Sequence, residues 1–147
     1  MINIRKANKS DIPELAPLFD AYRVFYEQKS DLSGAVKFLE DRFYREETVV
    51  FLAYSNETAI GFTQLFTSFS SVSMQAVYIL NDLFVDHNFR KQGVGELLLN
   101  RAKEFCIENN YKGLALETAV DNPAQKLYER LGWVKDSHCF HYFWTAG

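Results

Sequence analysis

The stretch best equipped for chemistry is Val85-Asp86-His87-Asn88-Phe89-Arg90-Lys91-Gln92-Gly93-Val94-Gly95. An apolar run ends, a basic turn follows, and a helical pattern begins on two glycines. A helix N-terminus leaves up to about four backbone N–H groups unpaired and carries about half a positive charge, which favours an anion there. Glycines remove the side chains that would hold a diphosphate at a distance. Arg90 and Lys91 add charge at the rim. The alternative is a plain strand–turn–helix junction in which glycine only eases the turn. A nucleoside triphosphatase loop does not fit, because Glu96 follows Gly95 where Lys-Ser/Thr is needed. A nicotinamide site would want three spaced glycines after the first strand of a parallel unit.

The elements that must position this junction follow from periodicity. Ile2–Lys6 alternates as a short strand. Ser10 offers an N-cap for a helix carrying Leu15, Leu18, Phe19, Tyr22, Phe25 and Tyr26 at helical spacing. Ser30 to Gly34 breaks that helix, and a second runs from 35 to 45 with Val36, Leu39 and Phe43 inward. Residues 49–54 and 59–69 read as a hairpin across the turn Ser55-Asn56-Glu57, and 76–85 as a third strand. A helix over 93–109 buries Val94, Leu97, Leu98, Ala102, Phe105 and Cys106. A strand over 114–118, a short helix over 123–131 closed by Gly132, and terminal strands at 133–134 and 140–144 complete the order βααβββαβαββ. The expected fold class is α/β: a mixed sheet of six to seven strands with about four helices on its faces, in a single domain spanning 1–147.

Arg90-Lys91-Gln92-Gly93-Val94-Gly95 resembles the Arg/Gln-x-x-Gly-x-Gly/Ala signature of the GNAT superfamily of N-acetyltransferases. Leu83 and Val85 stand where that family has its apolar strand residues. Asn122, Ala124, Tyr128, Gly132 and Trp133 resemble its Asn-x-x-(Ala)-x-x-x-Tyr-x-x-x-Gly-Phe segment, with Trp in place of Phe. The resemblance follows the element order of the whole chain, and its specific residues lie in 78–133.

The resemblance implies acetyl-CoA as co-substrate, lying where two neighbouring parallel strands splay apart, here 78–86 and 113–119. The diphosphate would rest on the amides of Gln92, Gly93, Val94, Gly95 and Glu96. The pantetheine arm would pair with the strand edge Leu83-Phe84-Val85 and with Asn122, and an amide of that strand would polarise the thioester carbonyl. Tyr128 would face the leaving sulfur. Exposing the lone pair of a lysine-like amine at pH 7 costs about 4–5 kcal/mol, so a carboxylate is wanted to attract the ammonium and accept its proton. Asp82 is the first candidate and Glu117 the second. Asn81-Asp82 resembles the Glu-Asp pair of diamine acetyltransferases, with Asn81 in place of the Glu, which weakens a polyamine assignment. Tyr22, Phe25 and Tyr26 are candidates for the acceptor pocket, although their spacing equally suits a core stripe. Phe66, Phe69 and Met74 could form the other wall, and rings there would suit an ammonium. The expected acceptor is a small-molecule primary amine such as a polyamine or amino acid. Acetylation of a protein lysine or N-terminus, and a non-catalytic acyl-CoA sensor, are the alternatives.

Composition narrows the field further. The 147 residues suit one core, and aromatics reach 16% with 13 Phe and 8 Tyr, so a dense interior or a ring-walled groove is expected. Charge is even along the chain and net −3, without the basic excess that duplex binding needs, so no nucleic acid is expected. Cys106 and Cys139 lack metal-type partner spacing, and His87, His138 and His141 are scattered, so no metal is expected. Cys106 is expected to be buried. The cysteine usage suits a reducing cytoplasm. Met1 to Arg5 has no apolar signal-peptide run, and the charge-free stretch from Thr58 to Asn81 is too polar to span a membrane. The aromatic tail Phe140 to Trp144 could support a homodimer.

Overall fold

A computed structural model describes residues 1–147. Its elements run β1 (Ile2–Lys6), α1 (Ile12–Phe25), α2 (Leu32–Tyr44), β2 (Thr48–Ser55), β3 (Thr58–Ser70), β4 (Gln75–Val85), α3 (Val94–Glu108), β5 (Leu114–Ala115) and α4 (Gln125–Arg130), with single 3-10 turns at Lys9–Asp11 and His87–Phe89. Residues Met1–Glu117 form one compact unit and Thr118–Gly147 a second. The sheet belongs to the first unit and has five strands in sequential order, not six or seven. The three pairings from β1 to β4 are antiparallel, and β4 with β5 is parallel.

The missing strands are terminal. Residues 133–134 and 140–144 are not strands. Phe140, Tyr142, Phe143 and Trp144 are all more than 80% exposed. Alternating aromatics favour extended chain, but β-propensity reports packing on a half-buried surface, and these rings have none. β5 is also shorter than the 114–118 expected.

Helix starts differ from the sequence reading in a consistent way. Ser10 is not the first cap: Asn8 accepts from Ser10 N, and Asp11 reaches back to Asn8 N, a reciprocal box around the 3-10 turn that leads into α1. Asp11 also takes a two-pronged contact from Arg5 at 2.7 and 3.0 Å, which ties β1 to the head of α1 and holds the Asp11 carboxyl below its usual range. Gly34 does not break the chain before α2. It lies inside that helix, where its N–H donates to the capping Asp31 at 2.9 Å.

One face of the sheet packs on α1 and α2: Val50, Leu52, Tyr54, Phe62 and Phe84 join Leu15, Leu18, Phe19 and Leu39 in a single apolar cluster. The other face meets α3, where Phe105 lies 5.4 Å from Phe51 and 5.6 Å from Tyr78, ring centre to ring centre. Cys106 is buried in α3, as expected. A bulge decides which β4 residue faces which side. Gln64 pairs with Asp82, but the next β3 residue, Leu65, pairs with Leu80, so Asn81 is the extra residue. Side chains two apart on a regular strand share a face; one inserted residue changes that. Tyr78 therefore lies on the α3 side, while Asp82 and Phe84 turn to the α1–α2 side.

At the end of β4, β3 approaches it closely at Gly61, where an added Cβ would lie 2.7 Å from the Phe84 carbonyl oxygen and 3.3 Å from Val85 Cα. Both obstacles are backbone, so Gly61→Ala is expected to lower unfolding free energy by about 1–3 kcal/mol in urea titration. An unchanged midpoint would show that β4 yields there.

Candidate active site

The α1–α2 face carries a pocket of about 390 Å³. Its floor is polar and its walls are rings: Gln64, Asn81 and Asp82 below, with Phe19, Tyr22, Phe38 and Phe66 around them and Arg23 and Asp31 also on the lining. Asp82 is only 2% exposed. Gln64 Nε2 donates to its Oδ2 at 2.5 Å and Asn81 Nδ2 to its Oδ1 at 2.8 Å. The Thr48 hydroxyl donates to Gln64 Oε1 at 2.6 Å, which fixes the amide with its nitrogen towards the carboxylate. Tyr22 reaches in from α1 and donates to the carbonyl of the bulged Asn81 at 3.1 Å. Burial pushes the Asp82 carboxyl above the ordinary carboxylate range, and the bonds from Gln64, Asn81 and Tyr22 only partly offset it. A carboxyl so raised is a stronger proton acceptor than a solvated one.

The candidates divide on inspection. Asp82, Asn81 and Tyr22 are brought together. Glu117 lies beyond β5 and is exposed. Phe25 and Tyr26 are 55% and 43% exposed, so they are not core; with Tyr22 they form a ring ladder along the end of α1, at 5.2 and 5.0 Å. Phe66 lines the pocket, whereas Phe69 and Met74 are exposed and do not. Sequence reasoning missed Gln64 and Phe38. Gln64 did leave a signal, a single amide on the strand pattern between Phe62 and Phe66. Phe38 left none, since it falls outside the inner stripe of α2.

The glycine junction begins a helix as expected, one residue later. Gly93 is the N-cap at φ 80°, in the left-handed region, and makes no side-chain cap. Nothing lies within 4 Å of where a Cβ would be. Lys91 also has positive φ, at 63°, so the turn doubles back twice before α3. Upstream, β5 pairs with β4 only at Tyr78 and Ile79, which leaves Leu80 to Val85 without a strand partner on that edge. Arg90 folds back over the end of β4. Its Nε donates to the Val85 carbonyl at 2.9 Å, and its guanidinium lies 5.5 Å from the Phe25 ring and 5.6 Å from the Phe84 ring.

In the second unit, Asn122 Oδ1 accepts from Ala124 N at 2.9 Å and shapes the entry to α4. Tyr128 is 9% exposed in that helix, and its ring meets Trp133 edge-on at 6.1 Å. Gly132 takes φ 99°, which ends the helix and lets Trp133 N donate back to the Tyr128 carbonyl at 3.0 Å.

The fold defines the class first. A crystal structure of a probable acetyltransferase superposes with a TM-score of 0.92 over 99% of this chain and 98% of its own, at 39% identity. This is an α/β protein of the acetyltransferase type. A sequence profile of the acetyltransferase (GNAT) family matches residues 15–133, and the chain belongs to that family. It is 48% identical over 142 residues to an uncharacterized N-acetyltransferase of Bacillus subtilis, YhfO, covering 96% of this chain and 95% of that one. It is 33% identical to a probable acetyltransferase of Haemophilus influenzae over 84% of this chain and 94% of that one. No group of His, Cys, Asp and Glu is arranged to hold a metal, and no helix is long and apolar enough to cross a membrane.

The burial of Asp82 has a thermodynamic signature. A carboxyl whose pKa is higher folded than unfolded contributes stability that is present below the unfolded value and lost as pH rises through the folded one. Wild type should therefore lose stability relative to Asp82→Asn as pH rises above about 4, the ordinary carboxylate value, as read by urea unfolding at each pH. The altered hydrogen bonds give only a constant offset. A difference that does not grow with pH would contradict the raised pKa.

Proposed function

We propose that this protein is an acetyl-CoA-dependent N-acetyltransferase acting on the primary amine of a small molecule. The observation that carries the acceptor side is the buried Asp82 carboxylate on the floor of an aromatic pocket. A volume of about 390 Å³ is in the range of small-molecule sites. Family membership supports acetyl-CoA, which when bound supplies an activated thioester carbonyl. The main chain from Gln92 to Glu96 fits its diphosphate, because Gly93 starts α3 without a side-chain cap and with open space beside its Cα. The edge of β4 from Leu83 to Val85 has no strand beside it, which suits the pantetheine amides, and the family motif assigns them Asn122 as well.

The chain's own residues then divide the proton work. An amine arrives as an ammonium, drawn to Asp82 and bedded among rings. Asp82 accepts its proton directly or through a water, which frees the lone pair. Gln64 and Asn81 hold the carboxylate so that its charge is bonded when ionised. Tyr128 serves the leaving sulfur. Full proton transfer from a phenol to a thiolate is uphill by about 2 kcal/mol, so a hydrogen bond to the developing charge suffices.

Two measurements test this reading. Acetyl-CoA at about one hundred times its Kd should raise unfolding free energy by about 2.7 kcal/mol, and no shift at any concentration would remove the cofactor assignment. Tyr128→Phe should lower turnover by about ten-fold or more, in a free-thiol assay, with acetyl-CoA affinity near that of wild type. Unchanged turnover would take Tyr128 out of the chemistry.

A further inference from the structure

The acceptor pocket carries charge at two depths, and both depths constrain its ligand. We propose that the acceptor is a free basic amino acid, acetylated on its side-chain amine while its α-ammonium and α-carboxylate are held at the pocket mouth. This rests on the reading of the pocket as the acceptor site of an acetyltransferase.

Three ionic side chains line the pocket: Asp82, Asp31 and Arg23. Asp82 is buried on the floor, whereas Asp31 is exposed and Arg23 half-buried, so these two mark the mouth. Each of the outer groups keeps bonding capacity. Asp31 Oδ1 caps α2, accepting from Gly34 N at 2.9 Å and from the Ser33 hydroxyl at 3.3 Å, while Oδ2 accepts from no protein group. That free oxygen lies over Gly34, where an added Cβ would run into it, and Gly34 is itself part of the lining. Arg23 donates from Nη1 to the Lys29 carbonyl at 3.2 Å, and its Nε and Nη2 meet no protein acceptor. Asp20 lowers its own pKa partly through the charge of Arg23, but it is outside the lining, and its oxygens are taken by Ser30 Oγ at 2.6 Å and Asp31 N at 2.7 Å. Arg23 forms an ion pair with neither acid.

The mouth therefore offers one anion and one cation, each with a free hydrogen-bonding edge. A second ammonium alone would match Asp31 and face a like charge on Arg23. A carboxylate alone would match Arg23 and face Asp31. The head group of an α-amino acid carries both signs on one carbon and satisfies both. Between mouth and floor the walls are Phe19, Phe38 and Phe66, with the first two stacked at 5.6 Å between centres, and such surfaces gain from burying methylenes. A side-chain amine on a short methylene chain then reaches Asp82. Its nitrogen gives one proton to Asp82, which passes it to solvent. It then bonds the acetyl carbon as the carbon–sulfur bond breaks, and loses a second proton to the departing thiolate. The products are the side-chain amide and free CoA thiol.

The test is release of CoA thiol by the full chain with acetyl-CoA and a panel of acceptors. The panel holds lysine, ornithine, 1,5-diaminopentane (no α-carboxylate), 6-aminohexanoate (no α-ammonium), Nα-acetyllysine methylamide, kanamycin and an alanine-initiated tetrapeptide. The expected result is a kcat/KM for lysine or ornithine about ten-fold or more above every acceptor that lacks the free head group, with the acetyl group on the side-chain nitrogen by mass spectrometry. Arg23→Gln should lower the ratio of lysine to 1,5-diaminopentane kcat/KM several-fold. Asp31→Asn, which keeps a capping oxygen for α2, should lower the ratio of lysine to 6-aminohexanoate several-fold. A role in folding alone would move neither ratio. Preference for any other acceptor, acetylation of the α-amine, or ratios unchanged in both variants would overturn this inference and leave the transferase reading standing. Thiol release from no acceptor, with acetyl-CoA demonstrably bound, would overturn the transferase reading and this inference with it.

Discussion

A nearly solvent-free carboxylate must have its lone pairs bonded, and much of the first unit serves that requirement at Asp82. Two side-chain amides meet its oxygens, and a hydroxyl on a third strand position orients one of them. The chain runs Thr48, Gln64, Asp82 across β2, β3 and β4: Gln64 sits directly opposite Asp82, and Thr48 reaches Gln64 diagonally from two positions before its register partner Val50. A buried polar network is stable only when each member is satisfied. Satisfaction here depends on pairing register: Gln64 sits opposite Asp82 because the bulge at Asn81 absorbs one residue.

The same bulge links scaffold and pocket. It turns Asp82 away from the α3 side on which Tyr78 packs, and it presents the Asn81 carbonyl to the Tyr22 hydroxyl. Helix α1 is thereby fastened to the strand that forms the pocket floor. Asp20 and Arg23 then tether the chain between α1 and α2. The loop that brings Asp31 to the pocket lining is thus fixed by side chains that grip its backbone.

The glycine junction and the strand edge show a different use of backbone. Two left-handed residues, Lys91 and Gly93, precede the first turn of α3, and a Cβ built on Gly93 would meet open space. Arg90 lies back across the end of β4, bonded to the Val85 carbonyl between two rings. A guanidinium is weakly hydrated and stacks readily, so this position is favourable for it. It also connects the glycine turn to Phe25 at the end of α1.

By itself the sequence determined the helices and strands with strong periodicity, the hairpin of β2 and β3, the glycine-started α3, and the family to which the motifs of 78–133 belong. These are local properties: a hydrophobic period, a turn residue, a spacing between glycines. It also pointed to Asp82, through the need for a carboxylate beside the amine and the likeness of Asn81-Asp82 to a family pair. What it could not supply was which partners. The alternation of β4 continues through Leu80 and Asp82 as though both shared a face, and only the pairing with β3 shows that they do not. Phe25 and Tyr26 had the spacing of core and lie in the open, while Phe38 had the spacing of surface and walls a pocket, because the stripe a helix buries is set by what stands opposite it. The expected terminal strands failed for the same reason: extended aromatic chain becomes sheet only where another strand offers its hydrogen bonds, and that offer is made by tertiary structure alone.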